Sequence, residues 1–145
     1  MAQAYQLIQA QTLTSTAATV TFSNIPQNYT DLILKASSRD DRATYPNGDI
    51  AIRIGYAGTI NTNSIYTQVR IYGSGSGNGS DSSGSTLVYL GMSASSGAAT
   101  SNTFGNNEFY FPGYTSSSNK PIAVDGVSEN NAQQAWQVLN AAVAA

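Results

Sequence analysis

Apolar and polar residues alternate in short runs along most of this chain, and turn-forming residues separate the runs. Tyr5–Leu13 predicts a first strand. In Ala18–Phe22, Val20 and Phe22 share one face, and Thr19 and Thr21 the other. Ile25-Pro26-Gln27-Asn28 ends that run, because proline has no N–H for a ladder and disfavours a helix before it. Asp31–Ser37 sets Leu32, Leu34 and Ala36 against Ile33, Lys35 and Ser37. Ile50–Tyr56 has the clearest period of two, predicting Ile50, Ile52, Ile54 and Tyr56 inward. Ile65–Tyr72 sets Ile65, Thr67, Val69 and Ile71 against Tyr66, Gln68, Arg70 and Tyr72. Thr86–Ala94, Phe104–Phe111 and Ile122–Val127 complete the set.

About eight short strands and no alternation of strand with amphipathic helix predict an all-β chain. The expected architecture is a single antiparallel β-sandwich or jelly-roll-like domain over residues 1–145. One segment has helical spacing: Ala132, Ala135, Trp136, Leu139 and Val143 recur at three- and four-residue steps. Ser128 is its candidate cap, with Glu129 in the first turn. A short helix or helical turn near the C-terminus is therefore expected, anchored on the sheet by Trp136. Gly73–Ser85 is low in complexity and predicts a flexible loop inside the domain. No Lys follows its glycines and no helix pattern opens after them, so it lacks the features of a phosphate loop.

Composition narrows the chemistry. Of 145 residues only 10% are charged, against about 25% in an ordinary soluble domain, and the net charge is -2. Ser, Thr, Asn and Gln number 55, so the surface must be largely uncharged and polar. Without Cys or His, zinc and most transition-metal sites are excluded, together with Ser-His-Asp and Cys-His machinery and disulfides. Six cations scattered along an acidic chain make no nucleic-acid footprint. Apolar runs fall far short of the ~20 residues of a membrane helix. The N-terminal sequence has no basic or apolar region of a secretory signal. The aromatic and β-branched content argues for order, not disorder.

Few residues remain as candidates for chemistry. Glu108, Asp125 and Glu129 are the carboxylates considered for acid–base work, and each reads more simply as a turn or cap residue. No enzyme and no cofactor are expected. Arg39-Asp40-Asp41-Arg42 is the only charge cluster, and Asp40, Asp41 and Asp49, with Asn47, are weak calcium-ligand candidates. Their spacing does not fit an EF-hand, and a solvated loop with local ion pairs is the favoured reading. The interface or ligand candidates are Tyr45, Tyr66, Tyr72 and Tyr114, since exposed tyrosine suits protein interfaces and sugar rings. Two glycosylation sequons, at Asn28 and Asn78, are discounted without a signal peptide.

Three stretches carry a resemblance. Ala18–Leu32 (ATVTFSNIPQNYTDL), Thr103–Tyr114 and Asn119–Ala132 resemble small β-sandwich virion proteins of tailed phages, notably marine cyanophages. The pattern Phe-x-x-Ile-Pro-x-x-Tyr-x-Asp-Leu is the most specific part. The resemblance implies a sandwich built into a particle, with no active site. It implies core roles for Phe22 and Leu32, a turn at Ile25-Pro26 and a corner at Tyr29. The chain departs from the family pattern at its end, where related chains run into a final strand pair. Here it stops at Ala145, so those strands are either absent or the sequence is incomplete. In the latter case Trp136–Ala145 would be a turn entering a strand.

The expected role is decoration of the outer capsid surface, made in the host cytoplasm, with the major capsid protein and other virion proteins as partners. The knob-like decoration proteins of marine cyanophages are the nearest type. Neither nucleic acid nor membrane is expected as a partner, and a homo-oligomer is left open. The alternatives are a host-recognition or carbohydrate-binding module of a tail or fibre, and a glycosidase needing two carboxylates about 5–9.5 Å apart. A weakly charged surface would make attachment insensitive to salt, because seawater screens charges beyond ~8 Å or less.

Overall fold

The structure, a computed structural model, describes residues 5–42, 47–74, 77–85, 88–95, 100–129 and 135–144. Its regular elements are all strands: β1 (Leu32–Asp40), β2 (Asn47–Ile52), β3 (Gly55–Tyr56), β4 (Thr59–Ile60), β5 (Tyr66–Ser74), β6 (Gly77–Ser85), β7 (Val88–Ser95), β8 (Gly105–Phe111), β9 (Lys120–Glu129) and β10 (Ala135–Ala144). Eight of them form one sheet in the order β2-β7-β1-β8-β9-β10-β5-β6. The chain is therefore all-β, as its alternation predicted, and its ladders are antiparallel except for one short junction. There β1 and β7 run parallel, through Arg39↔Ala94 and Asp40↔Ser95.

The core lies on one face of this sheet. Opposed residues in a ladder share a face, and Leu34↔Phe109 and Phe109↔Val124 set three apolar side chains in one row. Phe109, Ile122, Val124 and Tyr66 are buried, with Leu34, Ala36, Phe111, Ile50, Ile52, Ile54 and Ile65 packed around them. Strands β8 and β9 alternate strictly between buried and exposed positions, as their sequence period requires. Ile50, Ile52 and Ile54 reach the core as expected, but Tyr56 does not. The strand stops at Ile52, and Tyr56 is exposed in the small β3–β4 hairpin, turned by Ala57 and Gly58 at φ 49° and 81°.

Three expectations are corrected. The helix expected over the C-terminal segment is replaced by strands, because Ser128 lies buried within β9 and β10 pairs along both edges. A run such as Ala-Trp-Gln-Val-Leu-Asn-Ala-Ala-Val satisfies helical and extended periods alike, and two available neighbours settle it as a strand. Asn130–Gln134 lie outside the described residues. The Gly/Ser segment expected as a loop instead forms β6, in register with β5 from Tyr66↔Ser85 to Ser74↔Gly77. Ladder bonds use only main-chain groups, so a strand without apolar side chains forms where its neighbour supplies the pairing. Tyr5–Leu13 and Ala18–Phe22, expected as strands, belong to no ladder among the described residues. Residues 5–30 instead form an irregular, mostly exposed arm leading into β1.

Candidate functional site

The sheet changes polarity across its width. On the core side, the row Leu34, Phe109 and Val124 continues through Asn140 of β10 to Arg70 of β5 and Asp81 of β6. That face is apolar at β1, β8 and β9 and polar at β5 and β6. On the far side the order is reversed. Lys35, Glu108 and Asp125 stand opposite one another on β1, β8 and β9, and the same row continues through Leu139 to Ile71 and Ser80. The neighbouring row runs from Ile33 through Tyr110, Ala123 and Ala141 to Val69 and Ser82. The outer face thus has a charged part and an apolar part.

In the charged part, Lys35 Nζ lies 3.0 Å from Glu108 Oε2, and Asp125 is registered on the other side of Glu108. Like charges directly opposed in a ladder are unfavourable. Lys35 offsets one of them, in an exposed pair of the kind worth about 0–1 kcal/mol. With Ser37, Asn106 and Val127 these residues line a shallow open trough of about 500 Å³. The structure therefore brings together two of the three sequence-selected carboxylates, Glu108 and Asp125. Glu129 ends β9, several residues along the strand.

A polar corner fixes the base of the arm beside this face. Asp31 Oδ2 accepts the Tyr110 phenol at 2.9 Å, and its Oδ1 accepts the Gly113 amide at 2.8 Å. The Tyr114 phenol donates to the Pro26 carbonyl. The bond to Asp31 raises the Tyr110 pKa, since a phenol that donates to a carboxylate resists deprotonation, and Tyr5 adds to the effect. Sequence reasoning missed Asp31 and Tyr110. The only signal for them lay in the resemblance, whose motifs include both.

The wing formed by β5 and β6 is held by a polar network. Arg70 forms a fork with Asp81, with Nη2–Oδ2 at 2.6 Å and Nε 3.2 Å from each carboxylate oxygen. Asp49 approaches the same guanidinium at 3.6 Å from β2. The Asp81 bond raises the Arg70 pKa further, against the effect of its partial burial. Gln68 Nε2 donates to Ser83 Oγ at 2.8 Å.

The sequence candidates fall into separate places. Tyr66 is 2% exposed, and its hydroxyl accepts the Ile54 amide at 2.7 Å. As an interface candidate it is corrected to a core residue. Tyr72 is half-buried on the core side, with the Arg70 guanidinium 5.5 Å from its ring centre. Tyr114 holds the arm, and Tyr45 lies outside the described residues. Asp40 accepts from Arg42 Nε and its amide, both at 3.1 Å, while Asp49 faces Arg70 and Asp41 is exposed. The three acids considered for calcium are not brought together, and no group of three potential metal ligands forms among the described residues. Arg39 serves the loop before β8, donating to the carbonyls of Thr100 at 2.7 Å and Thr103 at 3.1 Å.

No known family model matches the chain, and no match to it was found among the curated proteins or the solved structures.

Proposed function

We propose that this chain is a non-enzymatic structural protein of a phage virion that decorates the outer capsid surface by binding the major capsid protein. One observation carries the reading. The three stretches that resemble virion proteins are far apart in sequence but meet in the fold. Ala18–Leu32 supplies the arm base and the start of β1, Thr103–Tyr114 supplies β8 and its turn, and Asn119–Ala132 supplies β9. Strands β1, β8 and β9 are neighbours, and Asp31 and Pro26 bond to the β8 turn. Resembling segments that form one structural unit favour a shared architecture over chance likeness. The exposed arm and the open outer face supply docking surface.

We read the sheet as closing on itself into a sandwich. Strand β7 pairs with β1 and β2 yet also approaches β9, β10 and β5, and Ile50 and Ile52 of β2 pack on the core. Those approaches support a second layer over the first.

The decisive experiment is to locate the chain in purified particles, by cryo-microscopy and by mass spectrometry of separated heads and tails. Fixed copy number on heads, with particles still assembling when the gene is deleted, is the expected result. Antibody label confined to tails would overturn it. A sugar-binding role at a tail or fibre is favoured only by Tyr5 and Tyr110 standing exposed, Tyr110 two residues from Glu108 along β8. Binding on an array of cyanobacterial polysaccharides would be its mark.

A further inference from the structure

Among the described residues, two parts of this chain leave main-chain groups without a ladder partner. The arm is one. Among the described residues, no main-chain to main-chain hydrogen bond joins 5–30 to the rest of the chain. Tyr5, Leu7 and Leu13 are 78%, 79% and 47% exposed. All three are odd-numbered, so in an extended chain they share one face. Strand β6 is the other part. It ends the sheet and pairs only with β5 among the described residues, leaving its outer edge open to an added strand.

We propose that the arm of one molecule pairs with β6 of a second copy of this chain, so that the protein self-associates by strand exchange. The side chains beside β6 favour this edge. Its outer-face positions next to Val69 and Ile71 are Ser82 and Ser80. Serines are too short to cover those neighbours, which stay 58% and 60% exposed. Strands in a sheet lie about 4.8 Å apart. Large residues at alternate positions of an added strand would lean over the serines and cover Val69 and Ile71. An arm with Tyr5, Leu7 and Leu13 on one face, beside Gln9 and Gln11, offers such residues, and its other face carries Gln6, Ile8, Ala10 and Thr12.

The partner is a second copy because a chain's own arm is directed elsewhere. Its base is tied to Tyr110, Gly113 and Tyr114, and Tyr5 acts on Tyr110. Tyr110 belongs to β8, which is separated from β6 by β9, β10 and β5. This inference concerns the free chain and is tested without particles, so it stands or falls apart from the virion reading.

The chain has no cysteine, which makes a disulfide trap clean. One isotope-labelled full-length variant carries Leu7→Cys, Gln9→Cys or Leu13→Cys, and an unlabelled one carries Ser80→Cys or Ser82→Cys. After mild oxidation of the mixture, mass spectrometry is expected to find arm-to-β6 bridges between labelled and unlabelled chains, in excess over arm-to-arm bridges. Light scattering is expected to show a concentration-dependent oligomer. Leu7→Lys together with Leu13→Lys should weaken it at least about tenfold, the effect of losing roughly one buried leucine. These positions are exposed in the isolated chain, so its folding, checked by circular dichroism, should not change. A monomer at every concentration overturns the proposal. So do bridges that form only within one chain when both cysteines are placed together, and an oligomer indifferent to the lysines.

Discussion

Asp31 and Tyr110 meet across the boundary between the arm and the sheet, with a carboxylate oxygen 2.9 Å from the phenol. The other oxygen of Asp31 holds the Gly113 amide at 2.8 Å. One side chain thus fixes where an irregular segment becomes β1 and where β8 turns away. Hydrogen bonds to a charged acceptor are stronger than neutral ones. Asp31→Ala should free the arm base while leaving the sheet intact. Hydrogen exchange is expected to speed up at 25–31 and 113–116 and to stay unchanged in β9. Equal acceleration throughout would show that Asp31 supports the whole fold instead.

The same pair gives a pH signature. Donation to Asp31 raises the Tyr110 pKa above its ordinary value of 10.0. A raised pKa means that the folded state favours the protonated phenol. The contribution is complete below pH 10 and is lost as pH rises through the higher folded value. An ultraviolet titration should contain a late step from Tyr110. Tyr110→Phe should remove that late step, and Asp31→Ala should move it back toward the ordinary range.

Tyr66 acts through both its ring and its hydroxyl. The ring is buried against Phe109, Ile122 and Val124, and the hydroxyl satisfies the Ile54 amide where β2 has ended. Tyr66→Ala should cost about 3–5 kcal/mol, the range for deleting a buried aromatic side chain. Tyr66→Phe leaves that amide without its acceptor and should cost about 1–3 kcal/mol. Urea unfolding separates the two, and a Tyr66→Phe variant as stable as the parent would leave no role for the hydroxyl.

Arg70 stands between Asp81 and Asp49 and is the cation shared by two strands. Arg70→Met leaves the acids facing each other without it. The expected loss is about 1–3 kcal/mol, below that of a fully buried pair because Asp81 is 40% exposed. Arg70→Lys should recover only part of it, since an ammonium cannot make the two-pronged contact of a guanidinium. Thermal melts of both variants at low and high salt check this.

How far the sequence could be read depended on the two faces of each strand. The spans Phe104–Phe111 and Ile122–Val127 predicted strands, and β8 and β9 run there, with Phe109, Ile122 and Val124 on their buried face. In β5 the rule inverts. Tyr66, Gln68, Arg70 and Tyr72 face inward, while Val69 and Ile71 face solvent. Ser83, Asp81 and the Ile54 amide partner most of the polar inner set, while Gln68 Oε1 has no hydrogen-bond partner among the described residues. No local pattern reports partners that are brought in from β6 and from the end of β2. The site was less legible still. Of the tyrosines selected from the sequence, Tyr66 is a core residue, Tyr114 an arm anchor and Tyr72 a wing residue. Asp31 and Tyr110, 79 positions apart, had no local signal connecting them.

The sequence by itself determined that the chain is all-β, where most of the central strands run, and that Cys and His chemistry is absent. Those properties follow from a period of two and from composition, and both act over a few residues. Only the tertiary structure decided that a Gly/Ser stretch is a strand, that the C-terminal segment is extended and that the N-terminal strand patterns remain an arm. Each outcome depends on whether a neighbouring strand offers its main-chain donors and acceptors. Pairing is a property of two segments distant in sequence, so an isolated segment cannot reveal it.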